Sequence, residues 1–167
     1  LADRDVLRKP GSVGRAAPGV ELELSAAGEI CVSSPYLMDG YFENPEASAD
    51  ALRDGWYHTG DLGVLDDEGY LIVSGRLRDI IRSGGESISP AEVEAALAGL
   101  PGAADLAVVG IPDPQWGEVI CAAVVPQPGA AIDLAAVQRH CGERIARFKH
   151  PRRLALVAEI PRTAATR

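Results

Sequence analysis

The hydrophobic pattern changes character at Gly75, and that change most limits what the chain can become. Upstream, Val20-Glu21-Leu22-Glu23-Leu24 alternates apolar with acidic residues, and Glu29-Ile30-Cys31-Val32 follows the Ala26-Ala27-Gly28 turn as its antiparallel partner. The runs Leu62 to Leu65 and Tyr70 to Val73 flank Asp66-Asp67-Glu68-Gly69, whose polar residues fit a hairpin turn. One short helix is predicted in this half, opened by Asn44-Pro45-Glu46, running to about Leu52 and stopping at Asp54-Gly55. Downstream, Ser89-Pro90-Ala91-Glu92 places a capping hydroxyl, a proline at the first helical position and a glutamate three residues after the cap. A helix to about Ala98 follows, with Val93, Ala96, Leu97 and Leu100 facing inward. Leu106 to Ile111 and Val119 to Val125 read as strands around a loop at 112–117, and Leu154 to Val157 as a last strand. Asp133 caps a second helix, with Leu134, Val137, Cys141, Ile145 and Phe148 at three- and four-residue spacing.

This order predicts an α+β protein: a β-rich, small barrel-like subdomain over residues 1–76, then a small two-layer α/β domain over 77–167. Apolar residues make up 47% of the chain, enough for a packed core. The net charge of −8 repels a polyanion, so nucleic acid is not expected as a partner. No run approaches the roughly 20 apolar residues a membrane span needs, and the first residues lack a signal-peptide block. Cys31, Cys121 and Cys141 are odd in number and lack CxxC spacing, which fits reduced, buried thiols and a cytoplasmic protein.

Several familiar mechanisms are absent as complete sites: there is no GxxxxGK loop, GxGxxG turn, HExxH or GxSxG. His58, His140 and His150 are scattered and read as structural, and no residue is assigned to a metal. Two segments remain. In Trp56-Tyr57-His58-Thr59-Gly60-Asp61, a carboxylate entering a strand can accept bonds from the vicinal hydroxyls of a ribose, or can simply bond nearby backbone. In Gly75-Arg76-Leu77-Arg78-Asp79-Ile80-Ile81-Arg82-Ser83-Gly84-Gly85-Glu86, the arginines form a local anion-attracting patch and the glycines admit close approach of a ligand. A hairpin with solvated charges explains the same residues.

The string GEICVSSPYLMDGYFENPEASADALRDGWYHTGDLGVLDDEGYLIVSGRLRDIIRSGGESISPAEVE closely resembles the adenylate-forming superfamily, specifically its acyl-CoA synthetase branch. The likeness runs from Lys9-Pro10-Gly11-Ser12-Val13-Gly14 through Val108 to Asp113, Trp116-Gly117-Glu118 and Arg147-Phe148-Lys149 to Pro161-Arg162-Thr163. It implies an enzyme that uses ATP and Mg2+ to convert a carboxylic acid, such as a fatty acid, to an acyl-adenylate, and then passes the acyl group to coenzyme A. By similarity, Asp61 holds the ribose hydroxyls, Arg76 assists at the nucleotide, and Arg78 stands at the hinge, where the family usually has lysine or aspartate. Gly84, Gly85 and Glu86 match the loop lining the pantetheine tunnel. The family's terminal Pro-Arg-Thr-x-x-Gly-Lys aligns with Pro161 to Arg167, so that Arg167 stands at the catalytic lysine place. Only two lysines, Lys9 and Lys149, occur among the basic residues.

The family's phosphate loop, adenine-contacting motif and most of its acyl pocket have no counterpart here. The resemblance therefore implies a C-terminal third, inactive alone, whose partner is the missing N-terminal part of the same protein. Two alternatives stay open: a fatty acyl-AMP ligase or carrier-protein-loading adenylation enzyme, and a non-catalytic interaction or regulatory module.

Overall fold

A computed structural model describes residues 7–142 and 144–162. The chain forms two compact units, Leu1–Arg78 and Asp79–Arg167.

The first unit is a five-stranded sheet: β1 (Glu21–Leu24), β2 (Glu29–Ser33), β3 (Leu52–Arg53), β4 (Trp56–Leu65) and β5 (Leu71–Arg76). β1 and β2 pair antiparallel, with Leu24 opposite Ile30 across the Gly28 turn. The long β4 is central, flanked by β2 on one side and by both β3 and β5 on the other. Helix α1 (Pro45–Ala51) starts as its sequence predicts, because the Asn44 side chain accepts the Ala47 amide at 3.1 Å. Asp54-Gly55, read above as a helix stop, instead turns β3 into β4, with φ of 55° and 81° at the two positions.

The segment before β1 is tied to the β4–β5 hairpin. Lys9 donates to Asp66 at 2.6 Å and lies 2.6 Å from Glu68, Arg8 donates to Glu68 at 2.7 Å, and three cations surround the buried Tyr70 ring. The hydrogen bond from Lys9 holds the Asp66 carboxyl below its ordinary range, and those from Lys9 and then Arg8 do the same for Glu68. Carboxyls depressed in the folded state contribute stability above their unfolded pKa, about 4, and lose it as pH falls through the folded value. Acid unfolding curves should therefore fall less steeply below about pH 4 in Asp66→Asn and Glu68→Gln than in the native chain. Equal slopes would show that the clamp carries no linkage.

The second unit is a mixed five-stranded sheet under two helices. β6 (Ile81–Ser83) and β7 (Glu86–Ile88) form a hairpin, β8 (Ala103–Asp113) and β9 (Gly117–Pro126) a longer one, and β10 (Arg153–Leu156) joins β9 in parallel. Helices α2 (Pro90–Leu97) and α3 (Leu134–Cys141) supply Val93, Leu97, Val137 and Cys141 to a core that also takes Ile81, Ile88, Ile120 and Val124. Ser89 sits at the cap position of α2 without a capping side-chain bond, and the Glu92 carboxylate, which in a capping box reaches back to the cap residue's amide, is engaged by Lys149 at 2.6 and 2.8 Å. Asp133 does cap α3, accepting the Ala136 amide at 2.6 Å.

α3 is shorter than its apolar spacing predicts. It stops at Cys141, capped by Gly142, so Ile145 packs on the core from a turn and Phe148 is 46% exposed. All three cysteines are free and buried. Among the described residues no helix is long and apolar enough to cross a membrane.

Candidate functional site

Asp61 owes its position to irregular pairing on both sides of β4. Glu29 lies opposite Leu62 while Cys31 lies opposite His58, so β4 carries extra residues at Thr59 to Asp61 that no partner on β2 faces. On the other side, Leu62 faces Gly75 and Gly63 faces Val73, which bulges β5 at Ser74. A bulge re-aims side chains, and here it brings Asp61 opposite Arg76.

Three contacts hold the bulge. The Thr59 hydroxyl donates to the Ile30 carbonyl at 2.8 Å and accepts the Asp61 amide at 3.1 Å. The Gly60 amide donates to Glu29 Oε1 at 3.0 Å, and Gly60 has φ +71°, a conformation costly for any residue with a Cβ. Glu29 is buried, which acts to raise its pKa, yet the His58 hydrogen bond and the Gly60 amide outweigh burial and hold it below the usual carboxylate range.

Arg76 Nε lies 3.2 Å from Asp61 Oδ1. With side chains 55% and 36% exposed, the pair is weakly held, and either partner can exchange the other for a ligand at small cost. Beside it, Thr59, Gly60, Arg76, Leu77 and Arg78 line an open cavity of about 340 Å³. A carboxylate that accepts hydroxyl bonds next to a guanidinium suits a sugar joined to a phosphate.

In the second unit, Gly84 and Gly85 are the two turn residues of the β6–β7 hairpin, with φ of +61° and +87° as a type I′ turn requires. A Cβ at Gly84 would come within 2.7 Å of the Trp116 ring, whereas one at Gly85 would meet nothing within 4 Å. Glu86 follows, exposed, opposite Ser83. The hairpin thus exists as a structural element with its charges toward solvent. Arg167 lies outside the described residues.

A third feature went unnoticed in the sequence. Gln138, Arg147, Phe148, His150 and Arg152 line a pocket of about 500 Å³, and the Arg152 guanidinium stacks 4.2 Å from the Trp116 ring centroid. Its signal was available: residues 139–153 gather Arg139, Arg144, Arg147, Lys149, Arg152 and Arg153 in a chain whose net charge is −8. Cationic groups beside exposed aromatic surface suit a phosphorylated ligand that also carries a flat ring.

The chemistry of both sites is compatible with ligands of nucleotide type, and comparison with known proteins supplies the class of protein. Residues 92–167 match the AMP-binding enzyme C-terminal domain. The chain belongs to the adenylate-forming superfamily, on its acyl-CoA synthetase branch. It is 40% identical over 171 aligned residues to long-chain-fatty-acid–CoA ligase FadD13 of Mycobacterium tuberculosis, covering 97% of this chain and 34% of that protein. With indoleacetate–CoA ligase of Aromatoleum aromaticum, identity is 46% over 170 residues, covering 96% of this chain and 33% of the other. Among solved structures, o-succinylbenzoate CoA synthetase from Bacillus subtilis with the acyl-adenylate intermediate OSB-AMP superimposes with a TM-score of 0.87 at 35% identity, covering 100% of this chain and 36% of that one. The same synthetase has also been solved with ATP and a magnesium ion. This chain spans about a third of the length of the curated relatives it matches.

Magnesium, a hard cation, takes oxygen ligands. The His/Cys/carboxylate group found among the described residues, Glu29 with Cys31 and His58, offers sulfur and nitrogen besides and does not fit it.

Proposed function

We propose that this chain works as the C-terminal part of an ATP-dependent, AMP-forming acyl-CoA ligase located in the cytoplasm. A carboxylate is a poor electrophile until its oxygen becomes part of a good leaving group, which adenylation provides. Acid and ATP give acyl-adenylate and pyrophosphate; the CoA thiol then attacks the acyl carbon and expels AMP. Asp61 accepts the ribose hydroxyls, Arg76 releases it to face the nucleotide phosphate, and Arg78 serves as the hinge. Gly84, Gly85 and Glu86 line the pantetheine path, and Arg167 supplies the basic group at the family's lysine place.

The observation that carries this reading is the Asp61–Arg76 pair at 3.2 Å, formed where both neighbouring strands lose register with β4. The basic pocket favours CoA over a carrier protein as acceptor, because Arg147, His150, Arg152 and Phe148 suit the phosphorylated adenosine that CoA carries. The acid is proposed only as a class, with fatty acids as its first member, since the relatives' names range from long-chain fatty acid to indoleacetate.

The test uses the full-length protein with ATP, magnesium and a panel of fatty and aryl acids. Pyrophosphate release that depends on acid, followed by thioester formation with CoA, is the expected result. Transfer only to a loaded carrier protein would move the reading to the alternative acceptor, and no pyrophosphate with any acid would favour a non-catalytic module. Arg152→Ala should raise KM for CoA about 10- to 100-fold while leaving pyrophosphate release intact, because one charge-assisted contact is worth about 1.5–3 kcal/mol.

A further inference from the structure

The buried group behind the Asp61 bulge has a contact pattern that its present partners cannot satisfy. His58 Nδ1 lies 3.0 Å from Glu29 Oε2, 2.8 Å from an Arg53 guanidinium nitrogen and 3.6 Å from Cys31 Sγ. If Nδ1 carries a proton it donates to Glu29, and the Arg53 donor then faces another donor. If Nδ1 is bare it accepts from Arg53, and its lone pair no longer has a proton to share with Glu29. One contact is lost in either state.

A metal ion removes the conflict, because it takes lone pairs from all three groups at once. Zinc–sulfur and zinc–nitrogen bonds of about 2.3 and 2.0–2.1 Å give a tetrahedral sulfur–nitrogen edge of about 3.5 Å. The observed edge is 3.6 Å, and the ligand atoms of Glu29, Cys31 and His58 all lie within 4.8 Å of one another. Glu29 can ligate through Oε2 while Oε1 keeps the Gly60 amide. Charge also balances: a divalent cation with a thiolate brings one net positive charge, the same as the Arg53 guanidinium it replaces. Arg53 is free to leave, since its side chain is 46% exposed, whereas Glu29 and Cys31 are buried and supply a dry, fixed donor set.

We propose that Glu29, Cys31 and His58 bind one thiophilic divalent cation of the zinc class, displacing Arg53. The thiol proton goes to solvent, nothing is oxidised or reduced, and water fills the remaining coordination position. The site is separate from the magnesium that accompanies ATP, and it anchors the bulge that carries Asp61.

The test titrates Co2+ into the reduced 167-residue chain and follows the thiolate-to-cobalt charge-transfer band. Binding of one ion per chain with that band, and its displacement by Zn2+, is expected. Cys31→Ser should abolish the band while Cys121→Ser and Cys141→Ser keep it. Arg53→Ala removes the competing cation from a partly exposed position and should tighten Co2+ binding at least tenfold, which decides the matter even if Cys31→Ser fails to fold. Absence of the band in the native chain, its survival in Cys31→Ser, or unchanged affinity in Arg53→Ala would each overturn the proposal. None of these readouts depends on ligase activity.

Discussion

Asp61→Ala in the full-length protein is expected to lower kcat/KM for ATP in the proposed adenylation by about 100-fold or more. A carboxylate that accepts two hydroxyl bonds loses both on truncation, and bonds to a charged group are worth about 1.5–3 kcal/mol each, with every 1.4 kcal/mol a factor of ten. The ribose takes no part in bond making, so the same contacts serve ground and transition state and the loss should fall mainly on KM. Asp61→Asn keeps the size and one acceptor but removes the charge, and should cost roughly tenfold. Steady-state pyrophosphate release over a range of ATP concentrations checks both variants. A change below about threefold for Asp61→Ala would sink the ribose role and leave Asp61 as a turn aspartate. Thr59→Val provides a positioning control: without its hydroxyl the Asp61 amide loses a partner at 3.1 Å, and KM for ATP should rise by a smaller factor than in Asp61→Ala.

The elements written in local chemistry were readable before the fold was known. The Asn44 and Asp133 caps, the Asp66 to Gly69 turn and the runs that became β8 and β9 all depend on neighbours within a few residues, and all formed. Features that depend on distant residues were not readable. The spacing of Ile145 and Phe148 continues a helix that Gly142 has already ended, and the Glu92 carboxylate pairs with Lys149, more than fifty residues away. The same division runs through the candidate site. Asp61 and Arg76 stood out by residue type and motif, but the reason they meet is a pair of register shifts, and the carboxylate that fixes one of them comes from Glu29 on another strand. Nothing in the residues around Gly60 announces that its amide needs a buried acceptor.

Gly84→Ala should damage the second unit more than Gly85→Ala, and comparison of the two isolates why. Both positions have positive φ, so each alanine bears a conformational cost of about 1–2 kcal/mol. Only at Gly84 does the new methyl meet an obstacle, the Trp116 ring at 2.7 Å, and overpacking adds about 1–3 kcal/mol. Trp116 cannot move without disturbing Arg152, stacked 4.2 Å from its ring centroid at the edge of the basic pocket. The expected result is a lower melting temperature for Gly84→Ala than for Gly85→Ala, together with a kcat/KM for CoA that falls at least tenfold while pyrophosphate release holds. Trp116→Ala supplies the second leg of a double-mutant cycle. If the clash is the cause, Gly84→Ala should cost about 1–3 kcal/mol less on the Trp116→Ala background, since residues in contact couple by that order. Full additivity would place the damage in the backbone turn alone and remove the mechanical link between the glycine turn and the proposed CoA pocket.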